Sequence, residues 1–147
     1  MLGMFAWLLL EVTGALGAFP AELAHDPVVR DFCRVLLEKA ESERYREQGA
    51  FVVRTEEGLL YFVTWPPSEE MDKLRWHGRF PKGTVAIVHT HPSWVKDPSR
   101  LDVRAARRAR IPVYVITKSR ISRTDGKEPV VVAEGDWAAQ PRAAHPY

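Results

Sequence analysis

The stretch Thr84-Val85-Ala86-Ile87-Val88-His89-Thr90-His91-Pro92 decides how this chain is read. It is rich in β-branched residues and closes on a proline, which predicts a buried strand. Alternate residues of a strand face the same way, so His89 and His91 share a face with Cα atoms about 6.5–7 Å apart. Two imidazoles so placed can converge on one ion at about 2.0–2.1 Å per bond. Seven residues separate His91 from Ser99, and two more separate Ser99 from Asp102. Ser99-Arg100-Leu101-Asp102 reads as a helix start, a serine cap with an acid near the positive end of the helix dipole. A capped start is also a rigid mount for a ligand carboxylate, so Asp102 is the expected third ligand. Two histidines and one carboxylate leave a fourth position for water, the donor set of a catalytic rather than a structural zinc, one ion per chain.

On either side of this stretch the pattern is legible. Asp26 as cap, Pro27 at the first helical position and apolar residues at Val28, Val29, Phe32, Val35, Leu36 and Ala40 predict a helix over 26–47, solvated from Glu38 onward. Strands are expected at 50–54 and 58–64, joined through Thr55-Glu56-Glu57. Residues 68–82 read as a polar loop holding Trp76, His77 and Arg79, with a helical turn around 69–74. After the loop from Pro92 to Pro98, a helix from Ser99 to about Arg110 stops at Pro112. A strand over 113–117 and a hairpin pairing 121–123 with 130–132, turning at Asp125-Gly126, complete the set. The expected class is α/β, a single-domain mixed sheet flanked by helices. The folded domain is expected over 26–134, after an apolar segment over 1–25 and before a mobile tail over 135–147.

Composition narrows the function. A chain of 147 residues suits one domain with a real core, and 46% hydrophobic residues excludes wholesale disorder. A net charge of +2 demands no nucleic-acid partner, and no specific nucleic acid is expected. The single cysteine, Cys33, excludes an internal disulfide framework and a Cys-rich zinc site, and lies in an apolar stripe with Val29, Phe32 and Leu36. Arg104, Arg107, Arg108 and Arg110 make the second helix basic. They form a solvated face with favourable charge near the helix end, or else a contact for an acidic partner or nucleic-acid backbone. Trp94 either lines a substrate groove or packs the metal loop shut.

The apolar run from Met1 to Leu10, with small residues around Ala15-Leu16-Gly17, is signal-like, yet no Lys or Arg precedes residue 30 and Glu11 interrupts it. A packing helix explains it equally well. A cytoplasmic location is favoured over export, and no membrane contact is expected unless this segment is a signal or an anchor.

The string His89-Thr90-His91-Pro92, six further residues, then Ser99-x-x-Asp102 resembles the motif of the JAMM/MPN+ (JAB) zinc metalloproteases, His-x-His, seven residues, Ser-x-x-Asp. The likeness spans roughly residues 27–125 and implies that family's cytidine-deaminase-like α/β sandwich. It also implies an upstream catalytic glutamate. Glu47 fits that place, with Glu43 second; the family commonly has glycine three residues on, where this chain has Ala50 and Gly49 lies one residue off. By resemblance, His89, His91 and Asp102 hold Zn2+, Glu47 accepts a proton from the attacking water and passes it to the leaving amine, and Ser99 donates a hydrogen bond to the oxyanion. The implied substrate is a peptide or a ubiquitin-like or other small protein, cleaved at an amide or isopeptide bond. No long insertions flank the motif, so a specific deubiquitinase is not implied. The alternatives are a non-catalytic MPN scaffold for protein assembly and a RadC-like DNA-associated protein.

Overall fold

Asp26 caps the first helix, α1 (Pro27–Ser42): its carboxylate accepts the N–H groups of Val28 at 2.8 Å and Val29 at 3.3 Å, with Pro27 where no donor is needed. The computed structural model describes residues 22–44, 46–66 and 76–139. Helix α1 ends at Ser42, short of the expected 47, because Arg44 takes a left-handed φ of 57° and turns the chain away. The buried stripe is Val29, Cys33, Leu36, Leu37 and Ala40, whereas Val28 and Val35, expected inside, are 40% and 51% exposed. The buried set keeps the three- and four-residue spacing of one helix face, and those two valines fall beside it.

Six strands follow: β1 (Gly49–Arg54), β2 (Leu60–Thr64), β3 (Thr84–Thr90), β4 (Val113–Thr117), β5 (Arg120–Thr124) and β6 (Val130–Glu134). They form one mixed sheet in the order β2-β1-β3-β4-β5-β6. All neighbours are antiparallel except β3 and β4, which are parallel because helix α2 (Arg100–Ala109) crosses over between them. The expected mixed α/β class is therefore observed, with two helices on the sheet.

Helix α1 covers one face, over Val52, Val88, Tyr114, Ile116 and Ile121. The other face carries a smaller cluster of Phe51, Val53, Ile87, Val113 and, from α2, Ala106. Trp76, expected in a polar loop, joins this cluster edge-on to Phe51 with ring centroids 4.9 Å apart. The helical turn expected around 69–74 lies outside the described residues. Helix α2 docks against the β5–β6 turn, where the Arg107 guanidinium donates to the Gly126 carbonyl at 2.8 Å. Gly126 has a φ of 87°, and a Cβ there would stand 2.8 Å from the Arg107 Cα, so only glycine permits this approach.

The packed unit extends past the expected boundaries of 26 and 134. Leu23 and Ala24 are buried, and the Glu22 carboxylate accepts hydrogen bonds from the Tyr114 hydroxyl and the Arg123 guanidinium. Trp137, expected in a mobile tail, is 1% exposed, and its indole N–H donates to the Thr117 carbonyl at 2.8 Å. From α1, Arg34 donates to the Ala138 carbonyl at 2.8 Å. The apolar segment over 1–21 and the tail over 140–147 lie outside the described residues. No helix among the described residues is long and apolar enough to cross a membrane.

Candidate metal centre

Strand β3 ends on the sheet's α2-side face with His89, and His91 lies two residues on. Thr90, between them, turns the other way and is buried. Ser99 caps α2: its hydroxyl accepts the Asp102 N–H at 3.2 Å, and Asp102 Oδ2 accepts the Ser99 N–H at 2.6 Å. This is the capping box that the spacing predicts. It also aims the carboxylate back at the strand. Asp102 Oδ1 stands 2.9 Å from His89 Nε2, and Oδ2 stands 3.8 Å from His91 Nε2. Cap and ligand are thus compatible uses of one side chain.

The three residues present ligand atoms all within 4.8 Å of one another, a group that can hold a metal ion. Two atoms bonded to one tetrahedral ion at about 2.0–2.1 Å would stand about 3.3 Å apart, and the two His–Asp separations straddle that value. His89 Nε2 is buried and faces Asp102 Oδ1 at hydrogen-bonding distance. In metal-free protein that pair can share a proton, which an ion would displace. His91 Nδ1 lies 3.1 Å from the Val95 carbonyl. Facing an acceptor, Nδ1 carries the hydrogen and leaves the Nε2 lone pair for the metal.

The protonation pattern follows from these contacts. Burial weighs most against a charged His89, but the closeness and charge of Asp102, with a smaller contribution from Glu47, outweigh it and raise its pKa above 6.5. Burial, then the positive charge of His89, push His91 down to about 4. For Asp102 burial works upward, but the contacts with His89 and Ser99 prevail and hold its carboxyl well below the usual carboxylate range. The site therefore presents a neutral imidazole and a carboxylate at neutral pH, both ready to ligate.

Glu47 lies two residues before β1, whose Gly49 pairs with His89. The regular ladder ends there: the Thr90 N–H reaches the Gln48 carbonyl at 2.9 Å, but the Gln48 N–H turns to the Thr90 hydroxyl. The negative charge of Glu47 acts on His89, although Glu47 is not among the three residues whose ligand atoms converge. Glu43, the second choice, lies at the end of α1, where the Gln48 side chain donates to it at 3.0 Å. Trp94 is 77% exposed on the loop between His91 and Ser99, so it does not pack that loop shut.

Two contributors have no sequence signature. The Val95 carbonyl orients His91, and a backbone group carries no residue identity. Thr90 uses its hydroxyl to accept the Gln48 N–H at 2.9 Å, tying the Glu47 segment to the histidine strand. Its place between two histidines predicted only that it points elsewhere. No protein-family profile, curated protein or solved structure matches the chain.

Proposed function

We propose that this chain is a zinc-dependent peptidase or isopeptidase of the JAMM/MPN type, with that family's α/β sandwich as its fold. The observation that supports this reading most is the capping-box carboxylate of Asp102 reaching His89 and His91 at once. Two imidazoles and a carboxylate are a borderline donor set that suits zinc. Bound there, zinc would supply a Lewis acid that polarises an amide carbonyl and brings water to nucleophilic strength near neutral pH.

The chain's own groups do the rest. His89, His91 and Asp102 would hold the ion, and the Val95 carbonyl orients the His91 ring for it. The Glu47 carboxylate, whose charge acts on His89, takes a proton from the attacking water and returns it to the departing amine. Ser99 accepts from the Asp102 N–H, which leaves its hydroxyl proton to donate to the substrate carbonyl oxygen as charge develops.

The test is hydrolysis of a lysine ε-amide peptide and of its linear isomer, followed by mass spectrometry. Turnover should stop on chelation, return with zinc, and fall about 10²- to 10⁴-fold in Glu47→Gln while bound zinc is unchanged. Turnover that ignores chelation, or a full rate in Glu47→Gln, would overturn the assignment.

A further inference from the structure

The outer face of α2 carries Arg100, Arg104 and Arg108, all exposed and four residues apart, so they form one row along the helix. Among the described residues no acid pairs with any of them, because the helix's single acid, Asp102, is turned inward to the histidines. This arrangement works against the helix. Like charges four apart repel, and Arg100 puts a cation in the first turn, at the positive end of the dipole. Two exposed apolar residues flank the helix start along the chain: Leu101 at 66%, next to Arg100, and Trp94 at 77%, on the loop five residues before the Ser99 cap. Both lie in the stretch between the ligands His91 and Asp102.

We infer that α2 is the docking surface for an acidic, extended segment of a protein substrate, with Trp94 and Leu101 seating an apolar side chain of that segment near the metal centre. The occupant's identity as substrate rests on the proposed function; the binding surface itself does not. Guanidinium groups four apart on a helix are spaced about 6 Å along it. That is close to the roughly 6.5–7 Å between alternate residues of an extended peptide, so acids at every second position meet successive arginines. A nucleic-acid strand has comparable charge spacing but fits less well. The basic row is one helix wide, and beyond it the metal loop exposes Asp97 at 59%, linked through Arg120 to Glu134 at 62%. With Arg120 and Lys96 beside them the charge there is mixed, so the positive track that a polyanion would follow stops at the helix, whereas a peptide can become apolar there.

The test is fluorescence anisotropy with the full chain in its Glu47→Gln form, which needs no turnover. The probes are a peptide with glutamate at alternate positions followed by leucine, its glutamine counterpart, and an oligothymidylate of equal charge. The glutamate peptide should bind at least tenfold tighter than the other two and weaken with salt. Arg104→Glu with Arg108→Glu should cost a further tenfold or more, while Lys82→Glu, at a site 93% exposed and paired with Glu56, should change binding less than twofold. Replacing Arg104 with Gln should raise Tm by about 1–3 °C, because it relieves the repelling row. Tighter binding of the oligonucleotide, peptide binding indifferent to the arginines, or a lower Tm in Arg104→Gln would overturn the inference. Peptide binding by a protein that cleaves no amide would retain this surface and refute only the proposed activity.

Discussion

Successive residues of β3 serve opposite faces of the sheet, and the faces differ in kind. Toward α1 point Ala86 and Val88, in a core with Val29, Leu36, Ile116 and Trp137. Toward α2 point Ile87 and His89, over a smaller cluster that gives way to the His–His–Asp group. The α1 face supplies most of the apolar burial that offsets chain entropy. The α2 face spends buried positions on His89, Ser122 and Thr124. On the proposed reading stability and chemistry are carried on opposite sides of one strand, and substitutions should separate them.

The largest effect is expected on the α1 face. Trp137→Ala removes a fully buried ring and its hydrogen bond to Thr117, and should cost about 3–5 kcal/mol in urea unfolding. Zinc uptake by the folded fraction should persist. Loss of zinc binding at temperatures where the variant is still folded would break the division between faces.

Next comes the metal face. Zinc at a hundredfold excess over its Kd should stabilise the wild type by about 2.7 kcal/mol, read as a rise in Tm. His91→Ala should abolish that rise. An equal rise in the variant would place the ion elsewhere.

The two faces should also fail at opposite ends of the pH scale in metal-free protein. Burial pushes the Cys33 thiol from 9.0 up to about 12, so the unfolded chain loses this proton first as pH rises. Stability is then fully present below pH 9 and should fall by about 1 kcal/mol by pH 10, a loss absent in Cys33→Ala. The native thiol should also resist alkylation until the protein is denatured. His91 has the opposite sign. Its pKa is lowered from 6.5 to about 4, so the unfolded chain binds the proton first as pH falls, and the His91 contribution should drop by about 1 kcal/mol in the first unit below pH 6.5, against an opposing gain from His89, whose pKa is raised. Urea midpoints at stepped pH in His91→Gln should flatten that acid limb alone; flattening of the alkaline limb instead would contradict the assignment.

The smallest effect belongs to the cap. Ser99→Ala should cost about 1 kcal/mol of stability by loss of the Asp102 N–H contact. On the proposed reading it should also lower amide turnover by more than that contact explains, because the same hydroxyl would donate to the substrate carbonyl. Turnover unchanged in this variant would restrict Ser99 to capping.

What the sequence disclosed was local. The alternation of Thr84 to Thr90, the box of Ser99 and Asp102, and the Asp26-Pro27 start are each written within a few residues, and each appears as expected. Other features depended on distant partners. Trp137 stands in a stretch with little pattern of its own and is fixed by the Thr117 carbonyl, 20 residues earlier. The early end of α1 depends on the backbone of Arg44, a residue type that rarely adopts a left-handed φ. Glu47 was selected by resemblance, and its physical support is the action of its charge on His89.

The central claim is that Asp102 and the two histidines form one metal site. Its most direct test is the zinc content of the purified protein by mass spectrometry, for wild type, Asp102→Ala and His91→Ala, each checked for folding by circular dichroism. About one zinc per chain in the wild type and almost none in either folded variant is the predicted result. A wild type that takes up no zinc after supplementation, or folded variants that keep it, would contradict the account.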